Sequence, residues 1–200
     1  MIFLILAGFL ILGGFFHLTP PGSRLDKFLF NRLHPMLRGF PGAALFQQVW
    51  FLGRTPLILI FLLMMTTIQV NKGITASVIF LIAVSLERGL KLSLQRERPF
   101  HTLNDVHVTQ PAEPDDPSFP SGDCLRVWFI SILLLHLVPF DWCGGVVVIL
   151  LALVVTLGRI GMGVHYPLDT LTGSGLGILA AQITVILWQH APRFPFGWFL

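Results

Sequence analysis

Long apolar runs separated by short polar breaks dominate the chain. The runs are Met1–Leu18, roughly Thr55–Val70, Gly73–Leu90, Cys124–Val138, Cys143–Leu157 and Thr170–Trp188. A helix crossing a bilayer needs about 20 mostly apolar residues, so each run predicts a membrane span whose ends extend into its polar flanks. The expected fold is an all-α, polytopic membrane helical bundle of about six transmembrane helices, forming one domain over residues 1–200. Met1–Phe16 lacks the basic start and small-residue cleavage site of a secretory signal, and is read as a retained span.

Two polar stretches interrupt the runs. In Pro21–Arg38, Leu25, Phe28, Leu29, Leu33 and Leu37 recur at helical spacing among charged residues. That pattern predicts an amphipathic helix lying at the membrane interface. The second stretch, Lys91–Asp123, is a long polar loop whose prolines oppose continuous helix. Counting spans puts this loop, the Gly158–Asp169 connection and Pro21–Arg38 on one side of the membrane. Asn71–Lys72 and Pro139–Trp142 fall on the other.

Composition reinforces this picture. Of 200 residues, 54% are hydrophobic and only 12% charged, with a mean hydropathy of +0.78. Soluble domains carry about 25% charged residues. The net charge of +3 suits an anionic lipid headgroup, and nucleic acid is excluded because no basic tract carries interleaved aromatics. Cys124 opens the fourth run and Cys143 follows its far end, so a helix of about 18 residues holds them roughly 27 Å apart and they cannot pair within the chain.

Charged residues at membrane depth are costly and point to function. Here they gather on the side that holds the long loop. Lys91 is followed after six residues by Arg98-Pro99; Ser118-Phe119-Pro120-Ser121-Gly122-Asp123 opens the fourth run; Arg159 precedes His165 and Asp169. Lys91, Arg98 and Arg159 supply fixed cations suited to phosphate oxygens. Ser121 offers a hydroxyl, and Gly122 lies where the open amides of a helix N-terminus favour an anion. His165 supplies a nitrogen nucleophile, and Asp169, one turn later, can hold its tautomer. Singly, each has a plainer reading: snorkelling cations, a helix cap at Ser121, a structural histidine. Independent plain causes do not place all of them on one face.

Lys-x6-Arg-Pro, Pro-Ser-Gly and Arg-x5-His-x3-Asp, in this order, resemble the three signatures of the type 2 phosphatidic acid phosphatase superfamily, over residues 91–169. The resemblance implies a helical bundle that hydrolyses lipid phosphates or diphosphates with no metal or other cofactor. It also implies that Lys91, Arg98, Ser121, Gly122 and Arg159 bind the phosphoryl group, His165 attacks it and Asp169 orients His165. Lipid phosphates of the polyprenyl diphosphate, phosphatidic acid or phosphatidylglycerol phosphate class, together with membrane lipids, are the implied partners.

One position departs from the pattern. Where the second signature normally ends in a histidine acid, this chain has Asp123. Asp123 is itself the acid, or the leaving group is a weak base such as a lipid monophosphate, or the protein binds without turnover. His101 and His107 offer further protons, and Arg126, one turn past Asp123, can pair with it. Glu113, Asp115 and Asp116 read as a solvated loop, and Gly173, Gly175 and Gly177 suit close helix packing in a membrane. Arg54 adds a cation near the site. Lipid-to-lipid phosphotransfer shares the phosphohistidine step with hydrolysis, whereas an anion channel fits poorly because no run carries charge along its middle.

Orientation has two opposed signals. Arg24, Lys27, Arg32 and Arg38 on the catalytic side outnumber Lys72 and Arg193 opposite, which by the positive-inside rule makes that side cytoplasmic. The resemblance implies the outer, periplasmic face of a cell membrane.

Overall fold

A computed structural model describes residues 1–190 of the chain; Arg193, counted above on the face opposite the site, lies outside them. The fold is all-helical, with nine α-helices and no strand among the described residues. They are α1 (Ile2–Phe15), α2 (Pro20–Arg38), α3 (Ala43–Val49), α4 (Thr55–Ile68), α5 (Val70–Leu94), α6 (Pro99–Thr102), α7 (Gly122–Leu137), α8 (Trp142–Gly161) and α9 (Pro167–His190).

The chain is a multi-pass membrane protein, and its exterior shows why. Leu59, Ile60 and Leu63 on α4, Leu81 and Ile82 on α5, and Leu150 and Leu153 on α8 are all exposed. Such an apolar surface is stable in hydrocarbon and not in water. Val70–Thr102, Trp142–Gly161 and Pro167–His190 are each long and apolar enough to cross a membrane unaided. Two bent pairs, Ile2–Leu18 with Pro20–Arg38 and Ala43–Gly53 with Thr55–Ile68, raise the number to five.

The expected count was six, and the helix that the length rule omits is α7. Its 16 residues rise about 24 Å, less than the roughly 30 Å of hydrocarbon. Protein encloses this helix, with Val127 through Leu133 buried without a break, so lipid thickness does not set its length.

The central helix α9 packs on α1, α5 and α7. Its glycines permit the approach. A Cβ at Gly173 would strike the Ser121 carbonyl and one at Gly177 the Leu125 carbonyl, both on the α7 side. A Cβ at Gly175 would lie 2.9 Å from the Ala7 carbonyl oxygen of α1. The close helix packing expected from Gly173, Gly175 and Gly177 is therefore present on two sides of α9, and the α7 side sets the distance between the two elements that carry Ser121 and Asp169. Buried hydroxyls along α9 are satisfied locally: Ser174 donates to the Thr170 carbonyl at 2.7 Å and Thr184 to the Ala180 carbonyl at 2.9 Å.

Helix α2 follows α1 after a bend of 103°, the geometry of a helix lying across the end of the bundle. Thr19 caps it, its hydroxyl accepting from the Gly22 amide at 3.1 Å. The inward face differs from the sequence expectation. Asp26, Phe30, His34 and Leu37 are buried, while Leu25 and Phe28 face outward. The outward apolar residues suit lipid, and the inward face meets protein. The His34 ring nitrogen Nδ1 pairs with the Ile160 carbonyl at 3.1 Å, at the end of α8.

Candidate active site

Four helix ends converge beside α2. Lys91 lies in the last turn of α5, which Gln95 closes in a left-handed conformation (φ 45°). Residues 95–98 are then non-helical, and Arg98 precedes Pro99 at the start of α6. Ser121 precedes α7, whose first residue is Gly122 and whose first turn carries Asp123. Arg159 stands in the last turn of α8. The short turn to α9 needs Gly163, whose φ of +80° is unfavourable for a residue with a Cβ. Beyond it the amides of Val164 and His165 donate back to the Arg159 carbonyl at 3.2 and 3.3 Å. That turn carries His165 inward.

The ends enclose a cavity of about 210 Å³. Arg54, Lys91, Arg98, Arg126 and Arg159 line it, with Glu87, Asp116 and Asp123 as the only carboxylates, alongside Gly122 and His165. Five cationic side chains against three carboxylates leave an excess of positive charge. Arg159 is 2% exposed. Its Nη2 donates to Gln110 Oε1 at 2.5 Å and pairs with Asp123 Oδ2 at 2.9 Å, but its Nε and Nη1 have no partner. Buried donors left unpaired are costly, and a phosphate would satisfy them.

A carboxylate of the protein already engages Lys91 and Arg98. Asp116 pairs with Lys91 and, at 2.8 Å, with Arg98 Nη2. Arg98 Nε also donates to the Asp116 carbonyl at 2.7 Å. Burial works to raise the Asp116 carboxyl, but Lys91 and Arg98 outweigh it and hold it well below the usual carboxylate range. The loop expected to be solvated therefore places one of its acids on the cation pair, where it resembles a bound anion.

His165 is 2% exposed. Its Nε2 lies 3.3 Å from Arg98 Nη1, at the cavity, and its Nδ1 lies 3.7 Å from Asp169 Oδ2. With Arg98 donating to Nε2, the proton belongs on Nδ1, facing the carboxylate. Burial, followed by the charge of Arg98, pushes the imidazole pKa down to about 3. The ring is neutral over the physiological range, and a neutral nitrogen is what attack on phosphorus requires. Because the unfolded imidazole titrates near 6.5, this group reduces stability as pH falls from 6.5 toward 3.

Asp169 is fully buried and multiply bonded. Its Oδ2 accepts from the Ser118 hydroxyl and, at 2.8 Å, from the Tyr166 amide. Its Oδ1 accepts from Arg96 Nη1 at 2.5 Å. Its backbone carbonyl accepts from the Ser121 amide at 3.1 Å, joining the second and third signatures directly.

Of the eight residues singled out from sequence, Lys91, Arg98, Gly122, Asp123, Arg159 and His165 line the cavity. Ser121 and Asp169 stand behind it, and the buried Ser121 hydroxyl has no partner. Asp123 meets two guanidiniums, Arg159 at 2.9 Å and Arg126 at 3.2 Å. His101 and His107 are exposed and do not line the cavity. Sequence spacing assigns no role to Asp26, Arg96, Gln110 and Ser118, whose partners lie on other elements, nor to Glu87, which pairs with Lys91 one turn along α5 at 3.3 Å. Arg96, two residues before Arg98, and Ser118, two before Pro120, both lie beside a signature. Among the described residues no group of three or more His, Cys, Asp or Glu is placed to hold a metal ion.

Comparison with known proteins bears on the family and the fold. The sequence model of the PAP2 superfamily matches residues 58–193. The chain is 33% identical over 121 residues to the undecaprenyl-diphosphatase of Sulfolobus acidocaldarius, covering 60% of this chain and 57% of that protein. It spans less than two thirds of the length of the curated relatives it matches. Among solved structures, the PAP2-type phosphatidylglycerolphosphate phosphatase of Bacillus subtilis shares the fold, with a TM-score of 0.73 and 22% identity over 94% of this chain and 96% of that one. Aquifex aeolicus LpxE follows with a TM-score of 0.64 and 25% identity, covering 82% and 94%.

Proposed function

The chain belongs to the PAP2 superfamily, and from that premise we propose that it removes phosphate from a membrane lipid through a phosphohistidine on His165. The observation that carries the reading is the neutral His165 Nε2 at a buried, positively charged cavity. In the proposed reaction Nε2 attacks phosphorus, the bond from phosphorus to the lipid oxygen breaks, and Asp169 faces the proton on Nδ1. Water then attacks the phosphohistidine, which releases phosphate and restores the imidazole. Lys91, Arg98 and Arg159 balance the charge that develops on the phosphoryl oxygens, a stabilisation worth about 10²–10³-fold per well-placed donor.

Asp123 points to the substrate class. Ion pairs engage both of its oxygens, Arg126 at Oδ1 and Arg159 at Oδ2, so neither is placed to deliver a proton to a leaving group. A diphosphate avoids the difficulty, because the departing lipid monophosphate is a weak base that leaves without full protonation. The favoured substrate is therefore a lipid diphosphate, and the polyprenyl diphosphates fit best, since the Sulfolobus relative bears the name undecaprenyl-diphosphatase.

Purified protein in EDTA, given polyprenyl diphosphate, phosphatidic acid and phosphatidylglycerol phosphate side by side, tests both parts. Release from the diphosphate should exceed that from either monoester about tenfold or more, and D123H should narrow the gap, as expected for an added acid. Equal or greater release from the monoesters contradicts the diphosphate reading. Loss of turnover in EDTA contradicts the metal-free one.

We assign the cavity to the outer face of the cell membrane, as the family resemblance implies. Cations of α2 that count against this by the positive-inside rule can rest on anionic headgroups of either leaflet. A reporter fused after Leu200 should then read cytoplasmic, because α9 runs from the cavity to the opposite side; a periplasmic signal reverses the assignment.

A further inference from the structure

Arg96 lies between Lys91 and Arg98 in sequence, yet it does not line the phosphate cavity. Its guanidinium joins two carboxylates that burial has removed from solvent. Nη1 donates to Asp169 Oδ1 at 2.5 Å and Nη2 to Asp26 Oδ2 at 2.6 Å. Asp26 and Asp169 are both 0% exposed. The face of the guanidinium lies 4.2 Å from the centre of the Tyr166 ring, and the Arg96 carbonyl accepts from the Ser118 amide at 2.7 Å. Asp26 uses its second oxygen to accept from the Leu168 amide at 2.9 Å, beside Asp169 itself.

The arrangement divides the oxygens of Asp169. Oδ2 is the one that faces the His165 ring, and Oδ1 is the one that Arg96 grips. A carboxylate bonded at Oδ1 by a planar fork, whose other branch is fixed to a second buried carboxylate, cannot rotate without losing its bond to Arg96 or pulling the fork off Asp26. Asp26 belongs to α2, the helix that crosses the bundle end.

We propose that Arg96 is a positioning residue for Asp169, and through it for His165, with Asp26 of α2 completing the clamp; this rests on the reading of His165 as nucleophile. The interfacial helix is then part of the catalytic machinery as well as of the scaffold. A bridge that merely joins α2 to α9 would affect folding and leave turnover per folded molecule alone. A phosphate ligand would affect binding of the anion.

R96K, R96A and D26N, assayed as full-length protein in detergent beside H165A, separate these roles. Lysine keeps the charge but lacks the fork, so R96K should lose about 10²-fold in kcat, the scale of an ångström-sized misplacement. KM and the inhibition constant of inorganic phosphate should stay within about twofold. Added guanidinium chloride should partly restore R96A, and sodium chloride at equal ionic strength should not. D26N, nearly isosteric, should lose kcat in the same sense even if R96A folds poorly. Wild-type kcat per folded molecule in R96K and D26N overturns the proposal, as does a phosphate inhibition constant that rises in step with the lost kcat. If instead H165A retains activity, the nucleophile reading fails separately.

Discussion

His165→Ala should abolish phosphate release from every lipid substrate, a loss of roughly 10⁴-fold or more, while the protein stays folded in detergent. Removing a nucleophile eliminates the covalent route, and only binding and charge stabilisation remain, which in enzymes of this logic leaves a small residue of the rate. The fold should tolerate the change because little depends on the ring. Its one hydrogen-bond contact is Arg98 Nη1 at 3.3 Å, and Nδ1 has no hydrogen-bond partner. Arg98 keeps the Val164 carbonyl at 2.7 Å and Asp116 at 2.8 Å. The amide of residue 165 still bonds to the Arg159 carbonyl. Phosphate release together with thermal unfolding checks this, and near-wild-type release from the variant contradicts the covalent mechanism.

Asp169→Asn should lower kcat by about 10³–10⁴-fold with little change in KM, the scale found when a triad carboxylate becomes an amide. The amide places a donor where only acceptors fit. Arg96, the Ser118 hydroxyl and the Tyr166 amide all donate to this side chain, so the NH₂ group must face one of them or the His165 Nδ1 proton. The tautomer with Nε2 free for attack then loses its support. Folding should survive, because Arg96 now faces two buried carboxylates and would retain Asp26 as a single, balancing partner. Steady-state kinetics of D169N check the prediction; a loss of less than tenfold removes Asp169 from the mechanism.

Much of the fold was legible because hydrocarbon imposes a simple rule. Apolar length reports spans, and α5, α8 and α9 obey it closely. The rule loses force where protein replaces lipid as the surroundings, as around α7, and where a helix breaks, as at the Trp50–Gly53 turn of 3₁₀ helix before α4. The cationic cavity was legible because three signatures each sit at a helix end, and counting spans brings those ends to one side. Long-range pairing was not. Asp26 and Arg96 are 70 residues apart and Arg96 and Asp169 are 73 apart; no local spacing encodes either contact. Asp116 was hidden for the opposite reason. Acidic residues in a polar loop ordinarily meet water, and only the fold brings this one onto Lys91 and Arg98. Asp123 lay between these cases, since its bond to Arg126 follows from helical spacing while its bond to Arg159 does not.

The central claim is a phosphoryl group carried on His165. Rapid acid-free quenching of the enzyme during turnover of a lipid phosphate labelled with ³²P at the transferred phosphorus, followed by peptide mapping, tests it most directly. The account predicts an acid-labile, alkali-stable label on the peptide containing His165, lost in H165A and formed fast enough to account for turnover. Label on another residue, or full-rate turnover with no protein-bound phosphate during the burst, contradicts it.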